Sequence, residues 1–162
     1  MEADDLAPPL FKIDWDGNWY HQGVKVTHDR ARLYLYRLLD QEAGTGRFFI
    51  QNEEGRWEVE VQDAPFVVTR VEALPSPVGS EPSSLLLTLN DGTDEPFQPS
   101  TLRFTEEHIP YCRVKGGRFE ARFTRPSYYQ LTRFIRYDEE EDGFYFLFVG
   151  KRQNLFIPEE HS

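Results

Sequence analysis

The sequence predicts an α+β fold made mainly of antiparallel β hairpins, with two helices that cover them. Several short segments alternate apolar and polar residues between glycine-containing turns, which is typical of hairpins. Two longer segments repeat their apolar residues at helical spacing. The order hairpin, helix, hairpin occurs over 11–61 and again over 110–157. We therefore expect two related hairpin-helix-hairpin halves, although the same order is also common in unrelated proteins.

The chain is expected to divide into two halves joined by a loop. Ten residues with several prolines and serines, 75–84, have the composition of a linker. From the N-terminus we expect a flexible tail (1–10), a first α+β half (11–74), the Pro/Ser-rich loop (75–84), a second α+β half (85–157) and a C-terminal tail (158–162).

The first half is predicted to contain two hairpins around a helix. Its elements are a hairpin over 11–20, a helix after Thr27, a hairpin over 46–62 and a strand over 65–74. Thr27 is the expected N-cap of the helix, and Gly44 is expected to end it. The apolar stripe of this helix is expected to consist of Ala31, Leu35, Leu38 and Leu39.

The second half is predicted to repeat this order after a few short strands. Its expected elements are short strands near 85–89, 97 and 102–105, a hairpin over 109–123, a helix from about Arg125, and strands over 143–150 and 154–157. Thr124 is the expected N-cap of the helix, whose apolar stripe is expected to reach Ile135.

The hairpin over 109–123 carries an unusual set of charges for an acidic chain. With Gly116 and Gly117 at the centre of its turn, Cys112 pairs with Ala121 and faces the core. The alternation then places four basic residues on the solvent side: Arg113, Lys115, Arg118 and Arg122.

Two interpretations of this basic surface are open. Arg113, Arg118, Arg122 and Arg125 could together bind a carboxylate or phosphate, because guanidinium groups hold such anions with paired hydrogen bonds. Alternatively, the arginines only offset the acidic run 138–142 and the other acidic residues of the chain, and the neighbouring aromatic residues are core.

The composition of the chain restricts the kinds of partner that we expect it to bind. A net charge of −10 argues against nucleic acid as a partner, because a protein binds phosphates with an excess of Lys and Arg. A single cysteine excludes an internal disulfide, and no segment has the length and apolarity of a membrane span. The N-terminus lacks the features of a signal peptide. We therefore expect a cytoplasmic protein without membrane contact, and homo-oligomers remain open.

The sequence contains few of the patterns that are typical of catalytic or metal-binding sites. The four histidines and one cysteine match no zinc-site spacing, and no nucleotide-binding motif occurs, so no cofactor is expected. Cys112 is on the core face of its strand, which argues against a nucleophile. Glu58 and Glu60 share one strand face and Asp63 follows in the turn, so these residues form a candidate carboxylate cluster. A solvated strand face with a turn aspartate is the simpler interpretation.

Three stretches resemble the signature segments of a bacterial family called domain of unknown function 1285. They are "DWDGNWYHQG", "RWEVEVQDAPFVV" and "PYCRVKGGRFEARFTRPSYYQL", and the similarity extends from about Phe11 to Phe156. The resemblance implies an α+β fold with repeated motifs and a suspected binding or signalling role, and it supplies no catalytic residues. The loop 75–84 and the acidic run 138–142 depart from the family pattern. A looser similarity, in "GRF", "DAPFV" and "EPFQPSTL", connects the chain to an uncharacterised family with mitochondrial members.

The sequence therefore favours a non-enzymatic module that binds a small anionic ligand or an acidic protein partner, with a role in signal transduction as one option. An enzyme acting on a small anionic substrate, with Glu60 or Asp63 as general base, is the alternative. A pocket that holds both the arginines and a carboxylate of raised pKa would favour the enzyme.

Overall fold

A computed structural model of the 162-residue chain describes residues 10–156, which form two compact units. The first unit ends at Pro65 and the second begins at Phe66. Apart from residue 10, the predicted tails 1–10 and 158–162 lie outside the described residues. Within the described range, no helix combines the length and apolar character needed to cross a membrane.

The first unit is one six-stranded sheet with a helix. In chain order its elements are β1 (Phe11–Ile13), β2 (Trp19–His21), β3 (Val24–Lys25), α1 (Asp29–Leu38), β4 (Leu39–Gln41), β5 (Phe48–Asn52) and β6 (Gly55–Val61). The strands lie in the order β3-β2-β1-β6-β5-β4. All neighbours are antiparallel except β1 and β6, which pair in parallel. Both predicted hairpins are present, and the sequence had not indicated β3 and β4.

Helix α1 differs from the prediction at both ends. His28, and not Thr27, is the N-cap residue, and its side chain makes no capping hydrogen bond. The helix ends at Leu38, well before Gly44, because Leu39 begins β4 and pairs with Ile50. The buried residue of α1 is Tyr36, which is outside the predicted stripe.

Tyr36 fixes α1 to the rest of the first unit. Its ring packs edge-on against Trp19, with centroids 5.2 Å apart. Its hydroxyl donates a hydrogen bond to the carbonyl oxygen of Pro65 at 2.9 Å. A tyrosine can therefore serve as the core residue of this helix, because its polar end has a partner.

The second unit contains a six-stranded sheet, a helix and a separate three-stranded sheet. Its elements are β7 (Phe66–Leu74), β8 (Ser84–Leu89), β9 (Asp94–Pro96), a short 3-10 helix (Pro99–Thr101), β10 (Arg103–Phe104), β11 (Pro110–Val114), β12 (Phe119–Phe123), α2 (Arg125–Thr132), β13 (Ile135–Asp138), β14 (Gly143–Phe148) and β15 (Lys151–Leu155). The larger sheet has the order β10-β11-β12-β7-β8-β9, and β13, β14 and β15 form the smaller one.

The two six-stranded sheets have the same topology. Each sheet consists of two antiparallel three-stranded segments that follow one another in the chain. In each sheet, the first strand of the first segment pairs in parallel with the last strand of the second segment. These pairs are β1 with β6 and β7 with β12. Two related halves are therefore confirmed. The shared topology covers 11–61 and 66–123, whereas the sequence had matched 11–61 with 110–157. The order of elements in 110–157 misled that comparison, because β13–β15 form their own sheet.

The short 3-10 helix takes the place in the second repeat that α1 takes in the first, and α2 follows the repeat. Thr124 is the N-cap of α2, as predicted, and its side chain accepts a hydrogen bond from the Ser127 N–H. The helix ends at Thr132, so Ile135 belongs to β13 and not to the predicted helical stripe. Ser127 is completely buried and donates to the carbonyl of Val68, which attaches α2 to β7.

Because β7 pairs with β8 and β12, the compact units divide at Pro65 and Phe66 and not within the loop 75–84. The division of the chain into a first α+β half (11–74) and a second α+β half (85–157) stays a prediction.

Candidate functional site

The β11–β12 hairpin has the pairing that its glycines predict. Cys112 pairs with Ala121, and Val114 pairs with Phe119. The connecting turn, 115–118, contains three consecutive residues with positive φ: Lys115 at 56°, Gly116 at 70° and Gly117 at 86°. Two glycines make this conformation accessible, because they lack the side chain that disfavours it. We call 115–118 the glycine turn.

Acidic residues of β9 and of the β8–β9 connection hold the glycine turn in place. The main-chain N–H of Lys115 donates to both carboxylate oxygens of Glu95, at 3.1 and 3.0 Å. The ammonium of Lys115 lies 2.7 Å from Asp91 Oδ2 and 2.8 Å from Thr93 Oγ1. Lys115 is therefore a structural anchor, whereas the alternation had placed it on the solvent side.

The environment of Asp91 stabilises its charged form. Its side chain is only 9% exposed. Burial raises the pKa of Asp91, but hydrogen bonds from Lys115 and Thr93 lower it more, so its pKa lies below the ordinary value. The charged pair therefore stabilises the folded state at neutral pH.

Asp91→Asn is expected to remove part of the acid sensitivity of the fold. Because the pKa of Asp91 is lower in the folded state, its contribution to stability is complete above the ordinary value near 3.8. That contribution is lost as the pH falls through the lowered pKa. Urea unfolding measures this contribution between about pH 2 and pH 7, which extends roughly two units below and three units above a normal aspartate pKa. The variant should be less stable than wild type at pH 7 and should lose less stability below pH 4. Parallel curves for the two proteins would contradict the role given to Asp91.

A pocket of about 540 Å³ lies beside the glycine turn. Its volume is in the range of small-molecule binding sites. Its walls come from β9, from the segment between β9 and β10 that includes the 3-10 helix, from β11 and from the glycine turn. The lining residues are Glu95, Pro96, Gln98, Thr101, Arg113, Gly116 and Gly117. Every one of them belongs to the second unit.

Arg113 provides the positive charge in this pocket. Its Nε and Nη2 donate to the carbonyl oxygen of Gly117 at 3.2 and 3.0 Å, and its main-chain N–H donates to Thr101 Oγ1 at 3.0 Å. Nη2 also approaches the carbonyl of Arg118 at 3.4 Å. No carboxylate among residues 10–156 forms an ion pair with Arg113, and its Nη1 has no hydrogen-bond acceptor there. The guanidinium is thus oriented by the glycine turn while part of its donor capacity remains available.

The other three arginines of the predicted anion-binding surface do not line this pocket. Arg118 is exposed and lies over the ring of Phe119, 5.0 Å from its centroid. Arg125 is exposed in the first turn of α2. Joint binding of one ligand by the four arginines stays a prediction for Arg113, Arg118, Arg122 and Arg125. Of these four residues, Arg113 lines the pocket.

Arg122 was expected on the solvent side and is instead buried, with 8% of its surface exposed. Its Nη1 donates to the carbonyl of Phe123 at 3.2 Å. The strand pairing explains the difference, because Arg122 lies opposite Val67 in the parallel β7–β12 pair. Parallel strands are usually covered on both faces, so the alternation rule does not apply to this position.

The acidic run 138–142 has its own basic partner. Arg152 Nη2 lies 2.7 Å from Asp138 and 3.5 Å from Glu141. The hydrogen bond from Arg152 is the largest influence on Asp138 and lowers its pKa. Whether the arginines of 113–125 offset this run and the other acidic residues stays a prediction.

Glu60 and Asp63 lie in the first unit. Glu60 is an exposed residue of β6 whose carboxylate lies 3.8 Å from the ammonium of Lys12 on the neighbouring strand. Asp63 follows β6 and is partly buried. A catalytic role for either residue stays a prediction.

The environment of Cys112 keeps its thiol unreactive. Cys112 is 1% exposed, and burial, reinforced by the charges of Glu95 and Glu120, raises the pKa of its thiol. A thiol in this environment is neutral and a weak nucleophile. Within residues 10–156, no cluster of three or more His, Cys, Asp or Glu side chains has the arrangement of a metal site.

Glu95, Gln98 and Thr101 are pocket residues that the sequence did not indicate. The contact of Glu95 with Lys115 joins residues 20 positions apart. The sequence contains no local signal for such a contact, because it depends on how the sheet folds back on itself.

The fold and the pocket define an α+β protein with two topologically equivalent sheets and a small pocket in its second unit. No family model and no curated protein matches the chain. Its structure is similar to a crystal structure of a DUF1285 family protein from Silicibacter pomeroyi DSS-3, with a TM-score of 0.70 and 23% identity over 91% of this chain and 79% of that one. It is also similar to a DUF1285 family protein from Shewanella baltica OS155, with a TM-score of 0.63 and 20% identity over 77% of this chain and 91% of that one. The predicted resemblance to domain of unknown function 1285 is thereby confirmed at the level of the fold.

Proposed function

We propose that the protein is a non-enzymatic binding module that holds a small anionic ligand in the pocket beside the glycine turn. The observation that carries the proposal is the guanidinium of Arg113, which lines the pocket without a carboxylate partner in the described chain. Buried or half-buried cations are normally paired, so such a group favours an anion from outside the chain. The concave shape favours a small ligand over an acidic protein surface.

The pocket contains further donors that suit an anion. The main-chain N–H groups of Gly116 and Gly117 donate to no acceptor within residues 10–156, and an added methyl group at either Cα would meet no atom within 4 Å. A ligand can therefore approach this backbone closely. The side-chain amide of Gln98 offers one more donor at the pocket wall.

A binding role accounts for the pocket more simply than turnover does. The thiol of Cys112 is buried, and burial raises its pKa, so it is not an available nucleophile. The alternative enzyme would use Glu60 or Asp63, and neither residue lines this pocket. A general base must lie within hydrogen-bonding reach of the group that it deprotonates.

Arg113→Gln is expected to weaken anion binding without unfolding the protein. Thermal-shift screening of carboxylates and inorganic phosphate should find a ligand that raises the melting temperature of the wild type. Calorimetry should then show a loss of affinity of about ten- to a hundredfold in the variant, because charged hydrogen bonds contribute about 1.5–3 kcal/mol. Higher salt should weaken wild-type binding as well.

Arg118→Gln is the matched control, since it removes the same charge from the same hairpin outside the pocket. Its affinity should stay within about twofold of wild type, as expected for a screened surface charge. Equal effects of the two substitutions, or a panel in which no anion binds, would refute the proposal.

A further inference from the structure

Two opposite charges line the pocket and do not pair with each other. Glu95 and Arg113 both belong to its wall. Glu95 accepts the N–H of Lys115 on one side of the glycine turn, and Arg113 donates to the carbonyl of Gly117 on the other. Within residues 10–156, no ion pair joins Glu95 to a cationic side chain.

We propose that the pocket binds a zwitterion that carries a carboxylate and an ammonium group on the same carbon atom, as an α-amino acid does. The carboxylate pairs with Arg113, and the ammonium pairs with Glu95. This inference rests on the proposed anion-binding function and adds the chemical class of the ligand.

Glu95 keeps the capacity to bind an ammonium group. Its two oxygens share a single donor, the N–H of Lys115. A carboxylate has about four acceptor sites, so roughly half of them stay available. The contact with Lys115 also orients the carboxylate before a ligand arrives, which lowers the entropy cost of binding.

Arg113 is prepared in the same way. Its contacts with the carbonyl of Gly117 fix the plane of the guanidinium and leave Nη1 without an acceptor in the described chain. Lys115 and Gly117 belong to one turn, and Glu95 and Arg113 line one pocket of about 540 Å³. One small molecule in this pocket can therefore contact both charged residues.

The same arrangement discriminates against simple anions. A phosphate or a dicarboxylate that pairs with Arg113 brings additional negative charge close to Glu95, and like charges in a partly desolvated site repel. An ammonium group on the ligand converts this repulsion into attraction. The pocket should therefore prefer a molecule without net charge over a dianion of similar size.

The test uses three ligands that share one apolar chain. L-leucine carries both charges, 4-methylpentanoate lacks the ammonium group, and 3-methylbutylamine lacks the carboxylate. Titration calorimetry with the full chain should show that L-leucine binds at least about tenfold more tightly than either analogue, a difference of about 1.4 kcal/mol. The other common amino acids, tested by the same method against the full chain, establish whether the preference extends beyond this side chain.

Glu95→Gln isolates the role of the ammonium partner. Its amide oxygen can still accept the N–H of Lys115, so the glycine turn should keep its place while the negative charge is removed. Binding of L-leucine should fall to the level of 4-methylpentanoate, and binding of the acid should strengthen. Glu139→Gln, in the acidic run outside the pocket, is the control and should change neither affinity.

The outcomes separate this inference from the proposed function. If 4-methylpentanoate binds as tightly as L-leucine, the zwitterion inference is overturned and the proposed anion site is not. If neither the acid nor any amino acid binds, both are overturned. The comparison of ligands on the wild type decides between these results even if a variant fails to fold.

Discussion

Replacing Cys112 with aspartate is expected to lower the free energy of unfolding by at least about 3 kcal/mol, because the new carboxylate would be buried without a partner. The site is 1% exposed, and the adjacent acids Glu95 and Glu120 already oppose a negative charge there. The physical cause that raises the pKa of the native thiol would act on the aspartate as well. Urea unfolding followed by circular dichroism measures the loss.

Cys112→Ala is the matched control, because it removes the thiol and adds no charge. It should cost far less than the aspartate, on the order of 1 kcal/mol for a small buried apolar group. A thiol reagent should label native wild type slowly and unfolded protein rapidly, since access and thiolate formation are both suppressed in the fold. Rapid labelling of the native protein, or an aspartate variant as stable as the alanine variant, would show that the two faces of β11 are reversed.

Phe146→Ala is expected to lower the free energy of unfolding by about 3–5 kcal/mol, the range for truncating a buried aromatic residue. Phe146 is completely buried, and its ring lies 5.5 Å from that of Phe97 and 5.6 Å from that of Phe148. Phe97 stands between the pocket residues Pro96 and Gln98. The cavity left by the truncation should therefore also loosen one wall of the pocket and weaken ligand binding.

Phe144→Ala tests whether burial causes that effect. Phe144 lies two residues away on the same strand and is 39% exposed. Its ring contacts Tyr137 at 5.2 Å, so truncation should cost about 1 kcal/mol. Chemical denaturation of both variants gives the comparison. Similar losses in the two proteins would mean that β14 does not pack as the structure shows.

The parts of the fold that the sequence predicted are those governed by local rules. Gly116 and Gly117 determine a turn, and the turn determines every pair of the β11–β12 hairpin. Thr124 and Pro126 mark the start of α2 in the same way, because an N-cap side chain and an early proline act within one helical turn.

The ends of the two helices were not predictable from such rules. Leu39 fits the apolar stripe of α1, yet it leaves the helix to pair with Ile50. Ile135 likewise pairs with Phe146 in a sheet. In both cases no glycine or proline stops the helix, and the competing partner is a distant strand whose position the local sequence does not contain.

Only part of the site could be predicted from the sequence, and the reason is related. Arg113 was a candidate because of its charge and its place on the outer face of a hairpin. Arg122 shares that face by alternation, but the parallel pairing of β12 with β7 buries it. Glu95 reaches the pocket only because the sheet brings β9 against the glycine turn, which is a property of the assembled fold.

The most direct test of the account is to locate the site of anion binding in solution. Amide chemical shifts of the isotope-labelled protein, followed during titration with 4-methylpentanoate at constant ionic strength, report every backbone position near the ligand. We expect saturable changes concentrated at 95–101 and 113–118, and their loss in Arg113→Gln. Changes centred on 58–63 around Glu60 and Asp63, or no saturable change anywhere, would contradict it.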